Sequence, residues 1–187
     1  MNLKGKTYVI MGVANKRSIA WGAARALDSM GANLVFTILN ERFRKELDKL
    51  LGDLEGDHQV IVECDVSKDE EVERAFTEIK EKTGGIDGVL HAIAFANKEE
   101  LKGGYSETSR EGFALALDIS AYSLAIVAKH AKKAFNEGAS LVTMTYLGGE
   151  RAMPNYNVMG VAKAALDSSV RYLALDLGAD GYRVNAV

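Results

Sequence analysis

Two hydrophobic periods alternate along the chain. Short apolar runs at Tyr8–Met11, Leu34–Ile38, Val60–Cys64, Gly88–Phe95, Ser140–Tyr146 and Tyr182–Val187 are mostly continuous. Continuous runs are what strands covered on both faces require. Between them the spacing turns helical. Phe43, Leu47, Leu50, Leu51 and Leu54 fall at i, i+4, i+7, i+8 and i+11, which makes one apolar face. Val72, Ala75, Phe76 and Ile79 repeat at i, i+3, i+4 and i+7. Ser67-Lys68-Asp69-Glu70 predicts a capping box opening that helix, and Gly84-Gly85 closes it. Thr108-Ser109-Arg110-Glu111 predicts a second box, opening a long helical stretch that ends near Gly138. Asn155 is the expected N-cap of another helix, ending near Gly178.

Strand, helix, strand, repeated, means βαβ units and a parallel sheet. The expected fold is α/β: a six-stranded, doubly wound sheet of Rossmann order with helices on both faces. No Pro/Ser-rich linker, repeat or low-complexity tract divides the chain, so residues 1–187 are expected to form a single domain. The last run, Arg183–Val187, is a strand with no helix after it to cover it, so the chain reads as C-terminally incomplete.

Composition narrows the function classes. With 48% hydrophobic and 26% charged residues the chain is globular in type. The 23 basic and 26 acidic residues give a formal net charge of −3, with no bias toward nucleic acid or an anionic membrane. The single cysteine, Cys64, rules out an intrachain disulfide and argues against a cysteine-based zinc site; no metal is expected, and a reducing cytoplasm fits. The longest apolar region, Phe113–Ala128, carries Asp118 and several hydroxyls, unlike the ~20 apolar residues of a membrane span. The N-terminal Met1–Lys6 segment has no signal-peptide core.

The first strand runs into Gly12-Val13-Ala14-Asn15-Lys16-Arg17-Ser18-Ile19-Ala20-Trp21-Gly22. Gly12 permits a tight turn, Ala14 lets backbone approach a pyrophosphate, and Ser18 can cap the next helix and offer its hydroxyl to phosphate. The helix N-terminus supplies free N–H groups. An ordinary strand–turn–helix with a serine cap is the competing reading. After the third strand, Asp65 can accept from an adenine amino group or simply open the next helix. Tyr146 is expected to end the fifth strand, at the edge where open α/β sheets bind ligands. Tyr156 and Lys163 are seven residues apart on the following helix. That spacing turns about 700° and puts both on one face. A cationic amine there can hold ribose hydroxyls and favour a phenolate-like tyrosine, which can donate to an oxygen gaining charge. The alternative is a packed tyrosine and a solvated lysine.

The segments Gly12-x5-Ser18-Ile19-Ala20-x-Gly22, Ala92-Ile93-Ala94-Phe95-Ala96, Thr145-Tyr146-Leu147-Gly148-Gly149-Glu150 and Asn155-Tyr156-Asn157-Val158-Met159-Gly160-Val161-Ala162-Lys163 together resemble the bacterial NADH-type enoyl-acyl-carrier-protein reductases. These are a divergent branch of the short-chain dehydrogenase/reductase superfamily. The superfamily signature is Y-x3-K, whereas Gly160 stands four residues beyond Tyr156 and the lysine comes at seven. The resemblance implies that Gly12, Ser18 and Ile19 hold the pyrophosphate side of NADH or NADPH. It implies that Asp65 and Val66 bracket adenine, that Ile93 lies along the nicotinamide-side ribose, and that Lys163 binds its hydroxyls. Ala96 would touch the acyl substrate, and Tyr146 and Tyr156 would form the active-site pair.

The implied reaction carries hydride to a trans-2-enoyl thioester on acyl-carrier protein, in fatty-acid synthesis. The family's nicotinamide-covering loop, substrate lid and last strand would follow Val187, so activity of this chain alone is doubtful. NADPH-preferring members place basic residues directly after the second strand. Here Leu39 and Asn40 stand there, ahead of Arg42, Arg44 and Lys45, which favours NADH. The superfamily's paired helices imply a homo-oligomer, a dimer or a tetramer. Two other readings compete: a carbonyl reductase of the same superfamily, and a non-catalytic nucleotide-binding or assembly fragment.

Overall fold

All six apolar runs become strands. The computed structural model describes residues 2–56 and 60–187, so Met1 of the N-terminal segment lies outside the described residues. In chain order the elements are β1 (Thr7–Met11), α1 (Ile19–Ser29), β2 (Asn33–Ile38), α2 (Glu41–Leu51), β3 (Val60–Glu63) and α3 (Asp69–Thr83). Then come β4 (Ile86–His91), α4 (Arg110–Leu117), α5 (Ser123–Ala131), β5 (Phe135–Thr143), α6 (Asn157–Gly178) and β6 (Arg183–Ala186). The strands form one sheet in the order β3-β2-β1-β4-β5-β6, all parallel.

The inner strands β1, β2 and β4 bury both of their faces, which is why their runs are continuous. Ile10, Leu34 and Phe36 pack under Trp21 and Ala24 of α1 and Leu47 of α2. Val9, Met11 and Val35 point the other way, into a cluster with Phe76 of α3, Leu124 of α5 and Leu166 of α6. Phe36 and Phe76 are fully buried, and truncating either to alanine would cost about 3–5 kcal/mol.

The strand order reverses between β1 and β4, and there the two backbones come closest. Gly12, just past β1, has φ +95°, and a Cβ on it would sit 2.1 Å from the Ala92 carbonyl oxygen. Only glycine satisfies both conditions. A crevice therefore opens at the carboxyl ends of β1 and β4, the usual ligand position in such sheets.

Several expected boundaries move. The fourth and fifth strands stop at His91 and Thr143, which pair with each other, so Ala92–Phe95 and Met144–Tyr146 are loop. Those residues are apolar because most of them line cavities, not because they pair. Tyr146 thus lies beyond the strand it was expected to end. Leu54 falls past α2, which closes on Gly52.

Ser67 does not cap α3. Lys68 holds the N-cap position, and Ser67 donates its hydroxyl to Asp65 instead. Glu71, not Glu70, reaches back, accepting the Asp65 N–H at 3.0 Å. Gly84 does close α3, at φ +78°. Ser109 rather than Thr108 caps α4, accepting from the Gly112 N–H.

The long stretch beginning at Arg110 is interrupted by a π-helical turn, Asp118–Tyr122, and ends at Ala134. Gly138, its expected end, sits inside β5 at φ +72°, where the β4–β5 register shifts. Asn155 is a left-handed turn residue at φ +59°, and Tyr156 takes the N-cap position of α6. Residues Arg110–Ala134 are long and apolar enough to cross a membrane by composition alone. Half of that surface is buried, and its inner side chains form core against the sheet, as a covering helix does.

Candidate active site

The crevice holds two adjoining cavities that share Gly12, Ala92, Ile93 and Ala94. One, of about 400 Å³, runs toward β2 and β3 and is lined by Leu39, Phe43, Cys64, Asp65 and Val66. The other, of about 520 Å³, runs toward α6 and is lined by Ser18, Ile19, Thr145, Tyr146, Tyr156 and Lys163. Every sequence-predicted cofactor residue borders one of the two. Ala96 borders neither.

Local hydrogen bonding explains how these residues are held. Ser18 occupies the N-cap position of α1 but makes no side-chain cap bond. Its hydroxyl oxygen accepts the N–H groups of Ala14 and Asn15, each at 3.0 Å. Ser18 therefore folds the loop back on itself, and the first N–H groups of α1 stay available for an anion. Asp65 accepts from the Ser67 N–H (3.0 Å) and O–H (2.7 Å), with Lys68 Nζ 3.6 Å away. Partial burial works against its charge, but the Ser67 bonds and the Lys68 charge prevail and hold its carboxyl below the usual range. Asp65 thus both opens the helix and faces the cavity as an ionised acceptor.

At the other end Tyr146 and Tyr156 meet edge to face, with ring centroids 4.9 Å apart and planes at 67°. Burial, and secondarily Tyr146, push the Tyr156 hydroxyl above its ordinary pKa. The expected phenolate character is therefore absent, and Tyr156 is a neutral donor. Lys163 is buried, and its Nζ donates to the Met144 carbonyl at 2.6 Å, just past β5. Burial lowers its pKa, with Asp167 one turn away opposing that shift.

The Y-x6-K spacing has a steric cause. A Cβ at Gly160 would lie 2.7 Å from the Gly148 carbonyl, and one at Gly148 would lie 2.5 Å from the Tyr156 ring. The loop after β5 packs so tightly on α6 that position 160 has no room for a lysine; three residues further on, Lys163 reaches the cavity.

Sequence reasoning missed several participants. Cys64 and Phe95 join Leu39 in lining the first cavity, and Thr145 lines the second with a buried hydroxyl oxygen that has no partner among the described residues. Burial pushes the Cys64 thiol up to about 12, so it is an apolar wall rather than a nucleophile. His91, Thr143, Ser123 and Ser120 form a buried polar group beneath the crevice. A histidine inside the apolar run Gly88–Phe95 was the one signal in the sequence that could have found it. Among the described residues no cluster of His, Cys, Asp or Glu could hold a metal ion.

A dinucleotide fits this groove: an acceptor at one end, close-approach backbone and free N–H groups at the middle, and an amine with two phenols at the other. Comparison with known proteins agrees. Residues 12–187 match the enoyl-(acyl carrier protein) reductase family. The chain is 62% identical over 187 residues to the NADPH-type enoyl-acyl-carrier-protein reductase FabI of Staphylococcus aureus (strain NCTC 8325), covering 100% of this chain and 73% of that protein. It is 56% identical to the NADH-type FabI of Bacillus subtilis (strain 168), covering 100% and 72%. The crystal structure of the Bacillus cereus enoyl-acyl carrier protein reductase with NADP+ and an indole naphthyridinone superimposes with TM-score 0.96 at 56% identity, over 100% of this chain and 73% of that one. The Anaplasma phagocytophilum enzyme, in complex with NAD, superimposes at 0.94 with 45% identity, over 100% and 72%. These relatives favour neither the carbonyl-reductase nor the non-catalytic reading. The chain belongs to the enoyl-acyl-carrier-protein reductase family, the NADH- or NADPH-using oxidoreductases of fatty-acid synthesis.

Proposed function

We propose that this chain reduces the C2=C3 bond of a trans-2-enoyl thioester carried on acyl-carrier protein, with Tyr156 as the donor to the thioester oxygen. The observation that carries the assignment is the meeting of Tyr146, Tyr156 and Lys163 around one cavity that continues into the Asp65 cleft. Reduced nicotinamide, when bound, supplies hydride to the β-carbon. Negative charge then grows on the thioester oxygen as an enolate. A neutral hydroxyl aimed there stabilises the transition state more than the ground state. Burial keeps Tyr156 in its neutral, donating form. Tyr146 braces the ring edge to face. Lys163, seated on the Met144 carbonyl, holds ribose hydroxyls, and Asp65 and Val66 bracket the adenine. Gly12, Ser18 and Ile19 hold the pyrophosphate side, Ile93 lies along the nicotinamide-side ribose, and Ala96 contacts the acyl chain. Proton delivery to the α-carbon completes the saturated product.

NADH is the preferred cofactor in this reading. The corner where a 2′-phosphate would sit meets Leu39, which is 44% exposed, and Phe43. The Asn40 side chain is engaged with the Arg42 N–H, and Arg44 is paired with Asp48 at 2.9 Å. A second copy of the chain covers the exposed Phe113, Tyr122, Tyr172 and Leu175 of the α4–α6 face, giving a homo-oligomer. The chain is one domain and works in the cytoplasm, where its single buried thiol suits a reducing compartment.

The test is steady-state NADH oxidation by the full chain with a short trans-2-enoyl thioester and, separately, an acetoacetyl thioester. Turnover confined to the enoyl substrate supports the assignment. Turnover of the acetoacetyl thioester alone would replace it with carbonyl reduction.

A further inference from the structure

His91 is the last residue of β4, the strand beside the crevice, and its ring has no exposure at all. Its Nδ1 lies 2.9 Å from the Thr143 hydroxyl of β5, and its Nε2 lies 2.8 Å from the Ser123 hydroxyl of α5. Each hydroxyl also reaches a carbonyl: Thr143 reaches that of His91 itself at 3.1 Å, and Ser123 reaches that of Ile119 at 2.7 Å. Burial, and then the Lys163 charge, lower the imidazole pKa to about 4, so the ring is neutral and carries one N–H.

One ring nitrogen must therefore accept, and the hydroxyl facing it must turn away from its carbonyl. The His91 carbonyl can spare its hydroxyl, because the Met144 N–H also donates to it at 3.2 Å. Hydrogen-bond accounting therefore puts the proton on Nε2, with Thr143 donating to Nδ1. The resulting chain runs from Thr143 through the ring to Ser123 and on to Ile119, with each donor used once.

Both ends of that chain touch the crevice. At one end the peptide after Thr143 is Met144, which is bonded to the His91 carbonyl through its N–H and is the seat of Lys163 through its carbonyl. At the other end Ile119 lies within the π-helical turn Asp118–Tyr122 and Ser123 directly follows it. Such turns are uncommon and concentrate at functional sites. Within this one, the Ser120 hydroxyl accepts the Phe95 N–H at 3.0 Å and lies 3.1 Å from the Phe95 carbonyl. Phe95 and Ile119 both line the adenine-side cavity.

From this arrangement we infer that His91 is a positioning residue for cofactor binding: its ring ties the seat of Lys163 to the π-helical turn that holds the loop across both cavities. The ring touches neither substrate nor cofactor. It acts through Met144 on one side and through Ser120 and Phe95 on the other. The inference rests on the crevice being the NADH site.

The test uses NADH fluorescence titrations and steady-state kinetics on the full chain, each variant compared at the same fraction folded. His91→Phe keeps a planar aromatic ring, somewhat larger than imidazole, and removes both ring hydrogen bonds. Thr143 and Ser123 keep their carbonyl acceptors, so no buried hydroxyl is orphaned. The expected result is NADH binding weakened roughly three- to tenfold, the loss of one or two neutral hydrogen bonds, with the KM for NADH rising more than kcat falls. His91→Gln, whose amide offers one donor and one acceptor, should restore most of the affinity. Ser120→Ala cuts the tie to Phe95 without touching the core beneath it. It should weaken NADH binding in the same direction, and less than additively with His91→Phe. A His91→Phe protein that melts earlier but binds NADH as the parent does would overturn the inference. So would failure of His91→Gln to rescue, or strict additivity with Ser120→Ala. Absence of saturable NADH binding by the parent would overturn the functional reading itself, and the inference with it.

Discussion

Gly12→Ala tests the crevice where it is tightest. The new Cβ would stand 2.1 Å from the Ala92 carbonyl oxygen and 2.7 Å from its carbon, both backbone atoms of the neighbouring loop. Neither can swing aside as a side chain would. The residue would also have to hold φ +95°, at a cost of about 1–2 kcal/mol for any residue with a Cβ. Overpacking adds a further 1–3 kcal/mol or so. Taking about 3 kcal/mol as the total, and about 3 °C per kcal/mol for a chain of this size, Tm should fall by about 10 °C. The strain is relieved only by moving Ala92, which lines both cavities, so NADH affinity should fall about tenfold or more. Gly22→Ala is the internal control. Gly22 lies within α1, and a Cβ there meets nothing within 4 Å. The same substitution should stabilise by about 0.5–1 kcal/mol there. If the reasoning holds, thermal denaturation gives opposite signs for the two variants and only Gly12→Ala weakens NADH binding. Gly12→Ala with Tm and NADH affinity unchanged would show that the β1–β4 approach does not shape the groove.

Other expectations follow from the same geometry. Titrated at one salt concentration, NADH should bind at least as tightly as NADPH; a clear NADPH preference abolished by Arg42→Ala would show that Arg42 reaches a 2′-phosphate past Leu39. Because the folded pKa of His91 is depressed to about 4 from 6.5, the unfolded chain takes up the proton first. Stability should therefore decline as pH falls from about 6.5 toward 4, by up to roughly 1.4 kcal/mol per pH unit from this group. The difference between parent and His91→Gln denaturation curves isolates it from His130, whose pKa shifts in the same direction. Light scattering at high micromolar concentration should show more than one subunit, and a strict monomer would mean that Tyr172 and Leu175 face solvent. Lys163→Ala should weaken NADH binding as well as turnover, which separates it in kind from a change at Tyr156.

The sheet was legible because burial on both faces leaves continuous apolar runs, and turn glycines such as Gly84 mark where helices stop. The ends of β4 and β5 were not. Ala92–Phe95 and Met144–Tyr146 are apolar for lining cavities, and hydrophobicity alone does not separate that from pairing. Caps slipped by a residue where two candidates adjoin, as with Thr108 and Ser109. At Ser18 and Ser67 a hydroxyl served a neighbouring loop group instead of the helix end. The π-helical turn left no trace in the periodicity, because one extra residue inside a long apolar helix looks like drift. That Tyr156 and Lys163 come together at one cavity was legible because their spacing puts them on one face. His91 was not, because a polar residue within a strand shows its purpose only when the partners from β5 and α5 are in place.

The central claim is that the Tyr156 hydroxyl stabilises the enolate oxygen of a thioester being reduced, and Tyr156→Phe removes that hydroxyl alone. The measurement is kcat for NADH-dependent reduction of a trans-2-enoyl thioester by the full chain, with the NADH dissociation constant determined on the same protein and Tyr146→Phe run alongside. The account predicts that kcat falls by roughly 10²–10³-fold while NADH affinity hardly changes, as for one lost oxyanion donor. Near-normal turnover in Tyr156→Phe, with Tyr146→Phe inactive, would contradict it and move the donor to the other tyrosine.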